Sequence, residues 1–274
     1  MTTAERIRFL NQILLEAMPE YQEQAVAFSK DLPSERRLLR SLMNLCPPMQ
    51  LWDDFWREQD ILLQEEASAK GIIAPEALPT VADLTGESVT PQTIPAKQII
   101  LWQGDITRLS ADGIVNAANS ALLGCFFPCH GCIDNAIHSA AGLELRLACA
   151  ALMGEQGGAE PTGQAKITPA FNLPSRYVIH TVGPIIEDVP TAEDARLLAG
   201  CYRSSLELAD KHELKSLAFC CISTGEFHYP NRAAAKIALQ TVGDYLKSTG
   251  SKLTVIFNVF KDEDAEIYRE MLGI

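Results

Sequence analysis

The amino-acid sequence predicts an α/β protein, a three-layer α/β/α sandwich preceded by a small all-helical extension. From about residue 98 onwards, short apolar runs alternate with segments of helical periodicity, which is the arrangement typical of such a sandwich. Before residue 74 the apolar residues follow helical periods. Residues 74–97 are rich in Pro and Thr without a sustained period, so we interpret them as a connector, either ordered over the second domain or a linker. The predicted boundaries are 1–73, 74–97 and 98–274.

Four helices are predicted in the extension. Pro19 and Pro47 end two of them, because proline cannot continue a helix. The aromatic residues Trp52, Phe55 and Trp56 follow the apolar period of the fourth helix and are expected in the core of the extension. The predicted ranges are 2–18, about 19–30, 34–46 and 51–69.

Six strands and four further helices are predicted in the α/β part. Thr191, followed by Glu193 and Asp194, is a typical helix start, because acidic side chains are stabilised at a helix N-terminus. The predicted strands are 98–103, 113–117, 164–169, 176–182, 216–221 and 253–259. The predicted helices are 131–152, 191–212, 230–248 and 262–272.

Composition and charge argue against two classes of partner. The formal net charge is −12, whereas nucleic-acid binding rests on Lys and Arg that neutralise phosphates. No apolar run reaches the roughly 18 residues that a membrane span needs, so no membrane partner is expected. Eight cysteines occur without a recognisable signal peptide, and we therefore expect a cytoplasmic protein with reduced thiols.

Residues 115–142 carry most of the reactive side chains. The stretch begins as an apolar strand and ends as a helix, and the carboxyl end of a strand in an open α/β sheet is where ligands bind. Cys125, Cys129, His130 and Cys132 lie in the loop between them. Thiolate and imidazole are preferred zinc ligands. Spacing alone also permits reduced cysteines that pack as small apolar side chains, and it does not decide between the two.

Polar side chains flank this loop. Asn116 and Asn119 sit where the strand ends, and Asn116 is expected to turn the strand end. Asp134 and His138 are four residues apart and share one helix face. His138 is either a core histidine that holds Asp134 or a backbone carbonyl, or a group that takes part in chemistry.

Four ordered motifs resemble those of the macrodomain family, whose members bind ADP-ribose. L-W-Q-G-D-I-T at 101–107 resembles the start of the family's fold, and V-N-A-A-N-S at 115–120 resembles its first ligand loop. C-I-D-N-A-I-H-S-A-A-G at 132–142 is similar to the family's following helix, and I-S-T-G-E-F-H-Y-P at 222–230 is similar to its second ligand loop. The resemblance implies an α/β macrodomain with a mixed central sheet.

One departure from the common family pattern is informative. C-F-F-P-C-H-G-C at 125–132 replaces the short Gly-rich run of most macrodomains. It resembles the zinc-containing subgroup, microbial protein-ADP-ribose hydrolases with a helical N-terminal extension. That resemblance implies a zinc ion on Cys125, His130 and Cys132, and it does not require Cys129. The role of the extension, substrate recognition or bracing, is left open.

The resemblance also implies a division of the ligand site. Asp105 reads adenine, while the backbone N–H of Ile106 serves a ring nitrogen. Successive N–H groups of the loop at 223–227 can form an anion nest for the pyrophosphate. Asn119 orients the distal ribose, and Asp134 is the catalytic acid–base residue. The predicted ADP-ribose-binding residues are Asp105, Ile106, Asn119, Ser223, Thr224, Gly225, Glu226 and Phe227, and the predicted catalytic residues are Asp134 and Asn119.

The function that the resemblance implies is removal of mono-ADP-ribose from a modified protein, with zinc at the distal ribose. It further suggests a lipoyl-carrier protein as substrate and a sirtuin-like transferase as the enzyme that modifies it. Three alternatives stay open: a non-catalytic ADP-ribose reader, an O-acyl-ADP-ribose deacylase, and a redox sensor built on Cys125, Cys129 and Cys132. His228 is either structural or contacts the substrate.

Overall fold

A mixed six-stranded sheet lies at the centre of the α/β part. The computed structural model describes residues 1–85 and 94–274. The strand order is β1-β6-β5-β2-β4-β3, and neighbours are parallel except that β3 runs antiparallel to β4. The strands are β1 Ile99–Gln103, β2 Gly113–Ala117, β3 Ala165–Pro169, β4 Tyr177–Thr181, β5 Ser216–Phe219 and β6 Thr254–Val259. The α/β fold with a mixed sheet is confirmed, and each strand lies within about two residues of its predicted range.

The burial of the strands explains why the apolar pattern of the sequence predicts them. The inner strands β2 and β5 are buried along almost their whole length, and such strands read as continuous apolar runs. The edge strand β3 is half-exposed and ends at Pro169, which an edge strand tolerates because its outer N–H groups need no partner.

The helices cover both the extension and the sheet. In the described residues they are α1 Thr3–Ala17, α2 Gln22–Ala25, α3 Leu32–Leu45, α4 Asp53–Lys70, α5 Val81–Thr85, α6 Ile133–Ala141, α7 Leu143–Gln156, α8 Ala192–Lys211, α9 Asn231–Thr249 and α10 Asp262–Leu272. In this described part of the chain no single helix is long and apolar enough to cross a membrane. The pair α6 and α7 passes that test only together, and the two are bent by 109° at their junction.

The single helix predicted over 131–152 is wrong, because the chain breaks at Gly142. This residue has φ of 95° and ends α6 with its N–H donated to the carbonyl of His138. That φ favours glycine, and a Cβ here would also lie 2.7 Å from Nε2 of Gln59, so the end of that side chain would have to move. Gln59 Oε1 in turn accepts the N–H of Leu143 at 2.9 Å and thereby caps α7. The break is a tertiary feature that the apolar period does not show.

The helix predicted over 19–30 is also wrong in extent. The chain forms a 3₁₀ turn at Pro19–Tyr21 and then only the short α2. Asp31, just after the predicted range, caps α3, since its carboxylate accepts the N–H of Ser34 at 3.0 Å. Local side-chain bonding at Ser29 and Asp31 competes with continuation of the helix.

The first part of the predicted connector packs on the α/β part. An isolated bridge pairs Thr80 with Ile100, and Ile73, the residue just before the predicted connector, pairs with Leu109. Val81 is buried in the core that surrounds the sheet. Residues 86–93 of the predicted connector lie outside the described residues.

The extension has its own apolar core between α1, α3 and α4. Phe55 is fully buried there, and Trp56 packs edge-on against it with ring centroids 5.3 Å apart. The prediction that Trp52 lies in the core is wrong, because it precedes the first turn of α4 and is 56% exposed. Leu143, the first residue of α7, is buried in this core as well, so the two parts of the chain share apolar surface.

Two carboxyl groups face each other where α4 meets α7. Gln59 Nε2 donates to Glu144 Oε2 at 3.1 Å, and Asn172 Nδ2 donates to Asp60 Oδ1 at 2.7 Å. Burial, together with the adjacent Asp60, raises the pKa of Glu144 to about 7. The folded chain therefore binds more protons here than the unfolded chain between about pH 4.5 and 7.

The stability of the protein should consequently fall as pH rises through this window. We expect Glu144→Gln to abolish that part of the dependence, so that the variant gains about 1 kcal/mol relative to the wild type between pH 5 and pH 8, a value reduced for partial solvent screening. Urea unfolding of both proteins at the two pH values measures this. Glu155→Gln, an exposed acid of the same helix, should follow the wild type. Parallel pH curves for Glu144→Gln and the wild type would contradict the assignment.

Candidate active site

The predicted site residues come together at one edge of the sheet. Strands β1, β6, β5 and β2 are mutually parallel, so the loops that follow β1, β2 and β5 leave from the same edge. These loops contain Asp105, the segment 118–132 and the segment 220–228. Across the cleft, His130 Nε2 lies 3.7 Å from Glu226 Oε1, which links the second loop to the third.

Asp105 holds the loop that follows β1. Its Oδ1 accepts from the backbone N–H of Thr107 at 3.0 Å and from the Thr107 hydroxyl at 2.6 Å, which caps the 3₁₀ turn Ile106–Arg108. Its Oδ2 lies 3.9 Å from Nζ of Lys70 in the extension. One carboxylate oxygen is thus used in the turn, and the other faces partly towards solvent, where it can accept from a ligand amine.

The loop at 223–227, here called the ligand loop, is a closed turn. Tyr229 N–H donates to Ser223 O at 2.9 Å and His228 N–H donates to Gly225 O at 3.0 Å. Ser223 is left-handed, with φ of 66°, a conformation found in anion-binding nests. A Cβ on Gly225 would meet nothing within 4 Å, so this residue leaves open space beside the turn.

The ligand loop also contains an unusual buried hydroxyl. Ser223 Oγ is buried and has no hydrogen-bond partner among the described residues. A Cβ on Gly183 would lie 2.0 Å from it, so glycine at 183 lets the two segments approach. Such an unpaired group is costly in a folded protein and marks a place where a ligand can donate or accept.

The loop at 123–132, here called the metal loop, brings three potential ligands together. The side-chain donor atoms of Cys125, His130 and Cys132 all lie within 4.8 Å of one another, and Cys125 Sγ is 3.7 Å from His130 Nδ1. Tetrahedral zinc with bonds of about 2.0–2.3 Å needs donor atoms roughly 3.3–3.8 Å apart, and the 3.7 Å between Cys125 Sγ and His130 Nδ1 already lies in that range. Two thiols and one imidazole are also the donor chemistry that zinc prefers, so these residues fit the ion.

Cys129 points away from this cluster. Its Sγ lies 3.4 Å from Ser41 Oγ and 3.8 Å from the carbonyl of Arg37, both on α3. The residue is left-handed, with φ of 53°, which turns its side chain towards the extension.

Asp134 is a buried carboxylate at the start of α6. Asn116 Nδ2 donates to its Oδ1 at 2.7 Å, while Asn119 Nδ2 lies 3.5 Å from its Oδ2. Burial raises the pKa of Asp134 to about 6, and the hydrogen bond from Asn116 opposes that rise. Asn116 therefore does more than turn the strand end, because it supports the charge of this carboxylate.

Asn119 is engaged in the turn that opens the metal loop. Its Nδ2 donates to Gly124 O at 3.0 Å, and its Oδ1 accepts the N–H of Ala121 at 3.0 Å. To orient the distal ribose as predicted, the Asn119 amide has to share these two hydrogen bonds with the ribose or give one of them up.

Sequence reasoning missed His180, which lies behind Asn116. Because the Asn116 amide nitrogen can only donate, His180 Nδ1 accepts from it at 3.2 Å, and His180 Nε2 then donates to Thr168 Oγ1 at 3.0 Å. Burial lowers the pKa of His180 to about 3, which keeps the ring neutral. A histidine inside the apolar run of β4 was the available signal.

His138 lies next to the same carboxylate, one turn further along α6. Its Nε2 is 3.5 Å from Asp134 Oδ1, which is long for a hydrogen bond. Burial and the neighbouring His180 lower the pKa of His138 well below its usual range. A neutral ring enclosed in this way agrees with the core-histidine alternative.

Comparisons with known proteins place these features in context. A family model described as Macro domain matches residues 115–238. A protein-ADP-ribose hydrolase from Treponema medium is 47% identical over 273 residues and covers 100% of both chains. A protein of the same name from Staphylococcus aureus strain MSSA476 is 46% identical over 238 residues, 85% of this chain and 83% of that protein.

Solved structures give the same result. The Trypanosoma brucei macrodomain in complex with ADP-ribose superimposes with a TM-score of 0.65 at 31% identity, covering 85% of this chain and 95% of the other. The Oceanobacillus iheyensis macrodomain with ADP gives a TM-score of 0.58 at 43% identity, covering 64% of this chain and 90% of the other.

The support that Asn116 gives to Asp134 can be measured as stability. We expect Asn116→Ala to lower the free energy of unfolding by about 2–3 kcal/mol, since it leaves a buried carboxylate without its closest donor. Asn231→Ala is the matched control, because Asn231 donates to Asp264 Oδ1 at the same 2.7 Å but in a partly exposed place where water can substitute. Its loss should be about 1 kcal/mol. Equal losses in urea unfolding would count against the role of Asn116.

Proposed function

The chain belongs to the macrodomain family, and on this premise we propose that it binds ADP-ribose and hydrolyses mono-ADP-ribose from modified proteins, using a zinc ion at the distal ribose. The observation that carries the proposal is the placement of Asp134 and of the cluster Cys125, His130 and Cys132 on consecutive segments of one cleft edge. Relatives that match this chain over most of their length are named protein-ADP-ribose hydrolases, which supports the activity.

The two ends of the ligand fall on different loops in this proposal. Adenine lies at Asp105 and Ile106, where a carboxylate oxygen and a backbone N–H follow β1. The pyrophosphate lies on the ligand loop, where Gly225 leaves open space and backbone N–H groups of Ser223, Thr224 and Glu226 can bind an anion. Phe227 and Asn119 then contact the distal ribose.

Cys125, His130 and Cys132 would hold the metal. When bound, zinc supplies Lewis-acid polarisation of an oxygen at the distal ribose. His130 can ligate through Nδ1, which faces Cys125, while its Nε2 lies 3.7 Å from Oε1 of Glu226. A metal-bound histidine is commonly oriented by a carboxylate in this manner. Three protein ligands with one open position is the catalytic pattern of zinc sites.

Asp134 would prepare the attacking water. Asn116 and, behind it, His180 hold one carboxylate oxygen, so the other is available to accept a proton. The oxygen of the water bonds to the anomeric carbon of the distal ribose, the bond from that carbon to the side-chain oxygen of the protein substrate breaks, and the water proton passes through Asp134 to the leaving carboxylate. Fixing the sugar through Asn119 lowers the entropic part of the barrier.

The protein substrate is proposed to carry ADP-ribose on an acidic side chain. A lipoyl-carrier protein modified by a sirtuin-like transferase is the first one to test. The same site could act on the ester of O-acyl-ADP-ribose, which makes that small molecule the natural competitor substrate in an assay.

Turnover is the direct test. Incubation with a mono-ADP-ribosylated carrier protein should release free ADP-ribose, detected by mass spectrometry, and Asp134→Asn should lower kcat by about 10²–10⁴-fold. Its Kd for ADP-ribose should change less than about threefold, because the proposal gives Asp134 the attacking water and leaves the binding contacts to other residues. A chelator should stop release and added zinc should restore it. Asp188→Asn, at an exposed acid, is the control. Tight binding without release by the wild type would favour the reader.

The link between the two loops gives a second test. We expect Glu226→Gln to weaken zinc binding by about tenfold, since Glu226 no longer orients His130 as a carboxylate. Competition with a chromophoric chelator measures this. Glu187→Gln, an exposed acid on the neighbouring segment, should bind zinc like the wild type. Unchanged affinity in Glu226→Gln would show that the 3.7 Å contact does not matter for the metal.

A further inference from the structure

The extension reaches the metal loop through a buried amide on α3. Asn44 is only 1% exposed although it belongs to the extension. Its Oδ1 accepts the backbone N–H of Cys129 at 2.9 Å, and its Nδ2 donates to Ser139 Oγ at 3.0 Å. One side chain of the extension thus ties the metal loop to α6.

A buried guanidinium makes the second connection. Arg146 Nε donates to the carbonyl of Leu123, where the metal loop begins, at 2.7 Å. Its Nη1 donates to the carbonyls of Met43 and Asn44 at 2.9 and 3.0 Å, and it also contacts the carbonyl of Cys46. These carbonyls end α3, where a cation is favoured and unpaired acceptors need donors.

The guanidinium of Arg146 also packs against an aromatic ring of the metal loop. Its central carbon lies 4.4 Å from the centroid of the Phe126 ring in the metal loop. Because Arg146 is almost fully buried, its hydrogen bonds are shielded from water, whereas the Phe126 ring is 39% exposed.

Asn135 completes the connection. Its Nδ2 donates to the carbonyl of Phe127 at 3.0 Å. Its Oδ1 accepts a hydrogen bond of 2.9 Å from Nη2 of Arg40, which lies on α3. The backbone N–H of Asn135 also donates to Cys132 Sγ at 3.4 Å. Arg40 therefore steadies a residue that contacts both the loop and one proposed ligand.

These contacts act on an irregular loop. The metal loop has no helix or strand of its own, yet it carries Cys125 and His130. Cys129, next to His130, has φ of 53°, a conformation that side chains other than glycine adopt only when the surroundings enforce it. Metal sites bind tightly only when their ligands are held in place by supporting groups.

We propose that α3 of the N-terminal extension is a structural part of the zinc site, and that Asn44, Arg40 and Arg146 are positioning residues that hold the metal loop in its ligating conformation. The inference rests on the proposed zinc site and assigns the extension a role in that site. It places this role in the contacts of α3 with the backbone of Cys129 and with the side chain of Asn135.

The test uses the full chain and measures zinc affinity by competition with a chromophoric chelator. Asn44→Ala should raise the zinc Kd about 10–100-fold. Gln59→Ala is the matched control, because Gln59 is also a buried amide of the extension that bonds to the α/β part, but at Leu143 rather than at the metal loop. Its zinc Kd should stay within about threefold of the wild type, and both variants should keep the wild-type Kd for ADP.

A second pair of variants, with milder substitutions, tests the same proposal if Asn44→Ala does not fold. Arg40→Gln should weaken zinc binding measurably, whereas Arg37→Gln, at an exposed cation of the same helix, should not. Amide hydrogen exchange of residues 123–132 in metal-free protein should speed up in Asn44→Ala and Arg40→Gln only.

The outcomes separate this inference from the zinc proposal itself. If the wild type binds zinc but Asn44→Ala and Arg40→Gln bind it equally well, or if Gln59→Ala weakens as much as Asn44→Ala, the positioning role is overturned. If the wild type binds no zinc, or if Cys132→Ser leaves the zinc affinity unchanged, the proposed zinc site is wrong. In that case, an unchanged rate of amide hydrogen exchange of the metal loop in Asn44→Ala would overturn the positioning role as well.

Discussion

The hydrogen bond from Asn116 to Asp134 connects the sheet to the site. It joins the end of β2 to the start of α6 and lets a carboxylate remain in a place where burial opposes its charge. His180 on β4 fixes the Asn116 amide from the other side, so register between β2 and β4 matters directly to the site. The position of the metal loop follows, because that loop spans the distance between these two elements.

The sequence was sufficient for the parts of the molecule that follow local rules. The six strands were predictable because buried strands read as apolar runs. The residues that follow β1 and β5 were assigned to the ligand site only through the resemblance of their motifs to the macrodomain family, and the strand order then brings them to one edge of the sheet. The break at Gly142 was missed because the apolar period does not show it, and the Gln59 side chain that caps α7 after the break is far away in the sequence. His180 was missed for a related reason, since its partners Asn116 and Thr168 meet it only across the sheet.

The two parts of the chain meet at surfaces with different chemistry. At α3 the contacts are hydrogen bonds to the metal loop, whereas at α4 they are the Gln59 cap and the pair of Asp60 and Glu144. Lys70, near the end of α4, reaches the carboxylate of Asp105 at the other end of the cleft. The extension therefore borders the proposed ADP-ribose site at both ends. Residues of the extension contact the site in addition to the sheet and its loops.

The burial of Leu143 in the core of the extension has a consequence for how the chain folds. The helices of the extension leave the ribosome first, yet their core is complete only after residue 143 has been synthesised and α7 has docked. Until then the apolar faces of α1, α3 and α4 are incompletely covered, which is the condition under which nascent chains bind chaperones. For the same reason the two parts should melt in one cooperative transition, and cutting the chain between them would leave each half with an open surface.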